Sequence, residues 1–97
     1  SQLCARLCSG FPFFGTQYGE ECWCGLEDAQ AIFESNGEGS CTTSCAGDST
    51  KICGGFDAIS VYSSNGQVPT PEVDYESVGC YADPEDNRSM EKFMNLD

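Results

Sequence analysis

The 97-residue chain has no histidine and only four lysines and arginines together. Without histidine, the side chain most often used as a general acid or base near neutral pH is missing. Paired carboxylates such as Glu20-Glu21 are the remaining route to hydrolytic chemistry, but adjacent residues on a strand point to opposite faces. An enzyme is therefore not expected. The few basic residues stand against 16 Asp and Glu, leaving a formal net charge of −12. Such a surface repels phosphate backbones and anionic lipid, which argues against nucleic acid and membrane surfaces as partners. No apolar run approaches the roughly 20 residues of a membrane span. A basic stretch followed by an apolar one is also missing, so any secretory leader is expected outside these residues.

What the chain has in quantity is cysteine, eight in all. That is about 8 %, the range in which a disulfide scaffold is the leading reading. A chain this short buries a modest core, and each crosslink adds roughly 2–4 kcal/mol by restricting the unfolded state. The even count and the lack of histidine favour four bridges in an oxidising compartment over a zinc site. Cys4, Cys8, Cys22, Cys24, Cys41, Cys45, Cys53 and Cys80 are all read as oxidised, with no metal and no cofactor. Cys4 and Cys8 lie four apart, on one face of a helix; Cys22 and Cys24 lie two apart, on one face of a strand. A helix could be stapled twice to the same strand in this way, although eight cysteines allow 105 connectivities.

Composition divides the chain into three segments. Residues 1–63 hold seven cysteines. Residues 64–76 hold none and read as an extended linker around Pro69-Thr70-Pro71. Residues 77–97 open with a β-favouring Val78-Gly79-Cys80-Tyr81 and turn acidic at Asp83, Glu85 and Asp86. Leu3, Cys4, Leu7 and Cys8 recur at helical spacing, and Gly10 and Pro12 end that helix. Phe13 to Cys24 reads as a strand or hairpin, with Phe13 and Phe14 as core. Residues 26–55 read as long, glycine-rich loops held by bridges, and Ala58 to Tyr62 as a closing strand.

Three runs carry a family resemblance. Phe14-Gly15-Thr16-Gln17-Tyr18-Gly19-Glu20-Glu21-Cys22-Trp23-Cys24-Gly25 resembles the first signature of the WSC domain. The run from Cys41-Thr42-Thr43-Ser44-Cys45 to Ile52-Cys53-Gly54-Gly55 is similar to the second. Gly79-Cys80-Tyr81-Ala82-Asp83 resembles the segment that opens a WSC domain, yet here it stands last. The resemblance implies an α+β fold, one short helix on a small, mostly antiparallel sheet with long loops, in a PAN/apple-like arrangement. Across the seam, Asp97 would cap the helix, and Leu96, Leu3 and Leu7 would form one stripe. Three arrangements fit: one period of a tandem array, a circular permutation, or a last segment that completes a neighbouring copy.

Two functions follow from this reading. The first is a non-catalytic structural repeat of a glycosylated filament, cell-surface or cell-wall protein, with adjacent domains or copies of itself as partners. Asn87-Arg88-Ser89 is an N-glycosylation sequon, and Thr70 between two prolines is a candidate O-glycan site. The second, implied by the resemblance, is carbohydrate binding, with polysaccharide as partner. Gln17, Tyr18, Glu21 and Trp23 are the candidate contacts, because sugar rings stack on aromatic faces while carboxylates and amides take the hydroxyls. Trp23 alternates with Cys22 and Cys24 and so faces away from them, which leaves a packed and an exposed position both open. Asp83, Glu85, Asp86 and Asp97 lack a calcium-loop pattern and read as a solvated acidic turn.

Overall fold

The computed structural model describes residues 2–64 and 75–95. Helix α1 (Gln2–Leu7) leads into strands β1 (Phe13–Gln17) and β2 (Glu21–Gly25), then helix α2 (Ala29–Asn36). A small hairpin follows, β3 (Ser44–Cys45) and β4 (Asp48–Ile52), and then β5 (Ala58–Ser63), β6 (Glu76–Ala82), a 3-10 turn (Glu85–Asn87) and β7 (Glu91–Asn95). The main sheet has five strands in the order β6-β5-β1-β2-β7, and each neighbouring pair is antiparallel. The α+β class read from the sequence is the observed one.

Strand alternation sorts the core into two layers. On one face Phe14, Cys22 and Cys24 pack under Cys4, Ala5 and Cys8 of α1. On the other, Trp23, Ile59 and Val61 pack with Ala29 and Phe33 of α2 and with Met90. The sheet is therefore sandwiched between two helices, which corrects the expectation of a single helix and an irregular stretch over 26–55. The stretch contains a helical signal: Ala29, Ile32 and Phe33 fall at i, i+3 and i+4 between Asp28 and Gly37. Phe33 is fully buried and meets Phe13 edge-on at 5.5 Å between ring centroids.

All eight cysteines are bridged, as Cys4–Cys22, Cys8–Cys24, Cys41–Cys80 and Cys45–Cys53. The first two staple α1 to β2 through the shared faces. They also set which side of the helix is buried. Cys4, Ala5 and Cys8 are inside and Leu7 packs beside them, whereas Leu3 is 49 % exposed, so of the two described leucines of the expected stripe only Leu7 joins the packed face. Leu96 and Asp97, the other half of that reading, lie outside the described residues.

The last described segment is integral to the sheet. Strand β6 pairs with β5 from Ala58↔Ala82 to Ser63↔Glu76, and β7 pairs with β2, with Met94 opposite Cys22. Cys41–Cys80 ties β6 to the 37–43 stretch, where Gly39 N–H donates to Cys80 O at 3.3 Å and Ala82 N–H to Gly37 O at 2.8 Å. A side chain at Gly39 could not be accommodated, because its Cβ would stand 2.6 Å from the Tyr81 backbone.

Candidate functional site

A buried polar cluster fastens the closing segment to the end of β1. Gln17 is fully buried; its side-chain amide donates to the Asp83 carboxylate, and its Oε1 accepts from Arg88 Nη1 at 2.8 Å. Asp83, also fully buried, accepts from Arg88 Nη1 and from Ser89 N–H, both at 3.1 Å. The Arg88 guanidinium lies 5.1 Å from the centroid of the Trp23 ring, a cation–π distance. Its Nη2 stands 3.6 Å from Asp57 Oδ1 at the more exposed edge of the cluster.

This cluster corrects two of the four candidate sugar contacts. Gln17 is committed to Asp83 and Arg88 and presents no surface to a ligand. Trp23 is 8 % exposed, because the strand side it faces is the one that α2 and Met90 cover and Arg88 lies over its ring. Its Nε1, like Thr16 Oγ1, is buried without a hydrogen-bond partner among the described residues. Glu21 is half-buried and pairs with Lys92 at 3.2 Å across β2 and β7.

Tyr18 keeps the platform role open, and it brings a residue that the sequence reading missed. Tyr18 (φ 54°) and Gly19 (φ 79°) turn the chain between β1 and β2, and Asp57 (φ 47°) turns it before β5. Left-handed backbone is uncommon at residues other than glycine and is held by local contacts. Here the Tyr18 hydroxyl donates to Asp57 Oδ1 at 3.0 Å and accepts from Asp57 N–H at 3.2 Å. That exchange holds the two turns together and swings Phe56 outward. The Phe56 ring meets Tyr18 edge-on at 5.8 Å and is 80 % exposed, the most exposed large apolar side chain described. Phe56 follows Gly54-Gly55, a loop signal that sets an aromatic residue on a turn rather than in the core.

On the α1 side a cleft of about 540 Å³ lies between Gln2 and Leu3, the β3–β4 hairpin at Lys51 and Ile52, and Tyr62 and Tyr75. The two tyrosines meet edge-on at 5.3 Å. Burial and the neighbouring Tyr75 raise the Tyr62 phenol above its ordinary value. The sulfurs of Cys4, Cys8 and Cys22 cluster within 4.8 Å, but each is in a disulfide and no thiolate is left to hold a metal. In the acidic turn, Asp83 points inward to Arg88 while Glu85 and Asp86 are exposed. Asn87 is exposed; its Nδ2 donates to Asn36 Oδ1 of α2 at 2.8 Å, and its backbone carbonyl accepts from Asn36 Nδ2 at 3.0 Å. Thr70 lies outside the described residues.

Fold and site together define a small disulfide-stapled α+β module with a buried ionic latch and with Phe56 exposed beside Tyr18. The chain belongs to the WSC domain family, whose profile matches residues 1–55. Over 90 residues, 90 % of the chain, it is 36 % identical to a "WSC domain-containing protein" of Arthroderma benhamiae, and it covers 12 % of that protein. It is 43 % identical over 63 residues to "Xylosyltransferase oxt" of Drosophila melanogaster, covering 63 % of the chain and 7 % of the relative. With "Protein SLG1" of Saccharomyces cerevisiae the identity is 39 % over 64 residues, 64 % of the chain and 16 % of the relative. The chain thus spans a small fraction of each of these relatives. No solved structure matches it. No helix among the described residues is long and apolar enough to cross a membrane.

Proposed function

We propose that the chain is a non-catalytic extracellular structural module, one repeat of a glycosylated surface or filament protein whose neighbours are copies of the same domain. The observation that carries this reading is the position of the closing segment. Strands β6 and β7 are the two outermost strands of the sheet; beyond their pairing with β5 and β2, the Cys41–Cys80 bridge, the Arg88 cluster and the Lys92–Glu21 pair hold them. Both α1 and β7 attach at Cys22, the helix through the Cys4 bridge and the strand through pairing with Met94. A β7 could therefore lead into the α1 of a following unit over a very short connection, and the closing segment of one copy has the shape to complete another. Four disulfides in so short a chain support an oxidising, extracellular setting.

The test is to refold a mixture of ¹⁵N-labelled and unlabelled chains under oxidising conditions and to map Cys41–Cys80 by mass spectrometry. The bridge within one chain is expected as the main product, beside a fraction of mixed-isotope pairs and covalent multimers that grows with protein concentration. Bridges confined to one copy, with a monomer at all concentrations, would overturn the reading.

A second reading, carbohydrate binding, is favoured by one observation: Phe56 stands out of the surface against Tyr18 and next to Asp57 in sequence. An exposed ring with a carboxylate beside it suits the apolar face and the hydroxyls of a pyranose. Retention on immobilised β-glucan or chitin, lost in Phe56→Ala and kept in Lys92→Ala, is the expected result. Equal retention of both variants would refute it.

A further inference from the structure

The sequon Asn87-Arg88-Ser89 is half inside the protein. Asn87 faces solvent, and its Nδ2 donates to Asn36 Oδ1 at 2.8 Å. Ser89 does not face solvent. It is 7 % exposed, and both its N–H (3.1 Å) and its hydroxyl (3.4 Å) turn to the buried Asp83 carboxylate. The residue between them, Arg88, is tied to Gln17, Asp83 and Asp57 and lies over Trp23. The motif Asn-x-Ser/Thr contains a hydroxyl because the transfer machinery reads that group together with the acceptor amide, on an accessible stretch of chain. In the folded domain the amide is presented and the hydroxyl is hidden.

We propose that Asn87 is an N-glycan acceptor only before the closing segment docks, so that glycan transfer and closure compete for the same residues. The co-reactant is an oligosaccharide carried on a lipid pyrophosphate. One bond forms, between Asn87 Nδ2 and the anomeric carbon. The bond from that carbon to the pyrophosphate oxygen breaks, the lipid pyrophosphate leaves with the electron pair, and Nδ2 gives up one of its two protons. The remaining N–H still serves Asn36 Oδ1, so the modified chain closes with the latch intact and the glycan outside, beside α2. Occupancy of Asn87 then records how long residues 80–89 stayed undocked. The proposal rests on the secreted, glycosylated reading for its setting, but not on exchange between copies. Exchange is read from intermolecular Cys41–Cys80 bridges, whereas this proposal is read from mass at Asn87, so either can fail alone.

The test uses the full chain, made without glycans, with a purified oligosaccharyltransferase and its lipid-linked donor. The oxidised folded chain is compared with the same chain reduced and alkylated, and occupancy is read on the peptide containing Asn87. The unfolded chain should be modified about a hundredfold faster or more, the factor expected if a buried, paired ion must be broken to free Ser89. The oxidised variant Arg88→Ala keeps both the sequon and the four cysteine pairs while loosening the turn, and should be modified at least about tenfold faster than the oxidised native chain. Equal rates for folded and unfolded chains would overturn the proposal. So would an Arg88→Ala chain as inert as the native one, or no transfer to the unfolded chain while a control sequon peptide is modified. Should Arg88→Ala not fold, the comparison of the oxidised chain with the reduced, alkylated chain of unchanged sequence decides alone.

Discussion

Replacing Arg88 by alanine should be among the most damaging single changes outside the apolar core. Asp83 is fully buried and in contact with the Arg88 guanidinium at 3.1 Å, so Arg88→Ala leaves a carboxylate in the interior without its counter-charge. Breaking a buried pair in this way costs about 3–5 kcal/mol. The Ser89 N–H and the Gln17 amide still donate to Asp83, which places the cost toward the lower end. Loss of the Trp23 contact adds about 0.5–1 kcal/mol. The 3.6 Å contact to Asp57 is partly solvated and adds little. About 3–4 kcal/mol is the expected total, against about 5–15 kcal/mol for a whole domain of ordinary stability. In a domain of this size that corresponds to a fall in Tm of very roughly 12–30 °C. Arg88→Lys restores the charge but not the planar fork that reaches Gln17 and Asp83 together, so it should recover only part of the loss.

Urea titration of the oxidised chain is the assay, followed by the fluorescence of Trp23, the single tryptophan, and by far-UV circular dichroism. The Lys92–Glu21 pair is an internal standard. It has a similar distance, 3.2 Å, but the Lys92 side chain is 40 % exposed, so Lys92→Ala should cost at most about 1 kcal/mol. If Arg88→Ala and Lys92→Ala shift the midpoint equally, the latch is an ordinary surface pair and the account of how the closing segment is held is wrong.

Three further outcomes follow from the same geometry. Removing Cys41–Cys80 as a pair of alanines opens a 39-residue separation and should cost about 4 kcal/mol, whereas removing Cys45–Cys53, with a separation of 8, should cost about 2.6 kcal/mol; chemical denaturation of both variants tests the order, and the reverse order would refute the chain-entropy account. Phe56→Ala should leave stability within about 0.5 kcal/mol, because the ring is outside, whereas Trp23→Ala should cost about 3–5 kcal/mol whatever it does to sugar retention. Burial and Tyr75 favour the neutral Tyr62 phenol in the folded state, so its pKa is raised above the unfolded value of 10.0. Its contribution is fully present below pH 10 and is lost as pH rises through the folded value. Absorbance near 295 nm should show one late-titrating tyrosine, and Tyr62→Phe should remove that phase.

Much of the fold was legible because covalent geometry and periodicity spoke together. The i, i+4 pair of cysteines on a helix and the i, i+2 pair on a strand admit a double staple, and Cys4–Cys22 with Cys8–Cys24 is that staple. Helix α2 went unread although Ala29, Ile32 and Phe33 carry the helical period, since eight residues without a basic C-terminal turn give a weak signal beside the many glycines around them. The face that α1 buries was read in large part: Cys4 and Cys8 are inside and Leu7 packs beside them, while Leu3 stands at the exposed edge because the two bridges fix the rotation of the helix.

The candidate site shows where such reasoning stops. Trp23 and Phe56 are both aromatic and both border a turn or bridge, and composition ranks the tryptophan first as a sugar platform. What separates them is the opposite side of the sheet: α2 and Met90 cover the face to which Trp23 points, and Arg88, far along the chain, closes over its ring. None of those neighbours is within reach of a periodicity argument. Phe56, by contrast, is exposed because Tyr18 and Asp57 adopt left-handed backbone and bond to each other, a long-range pairing of two turns. Exposure of an aromatic residue is therefore a property of the tertiary contacts around it rather than of its local pattern. Residues 88–90, distant in sequence from both rings, help to bury Trp23 and leave Phe56 exposed, a difference that no local pattern carries.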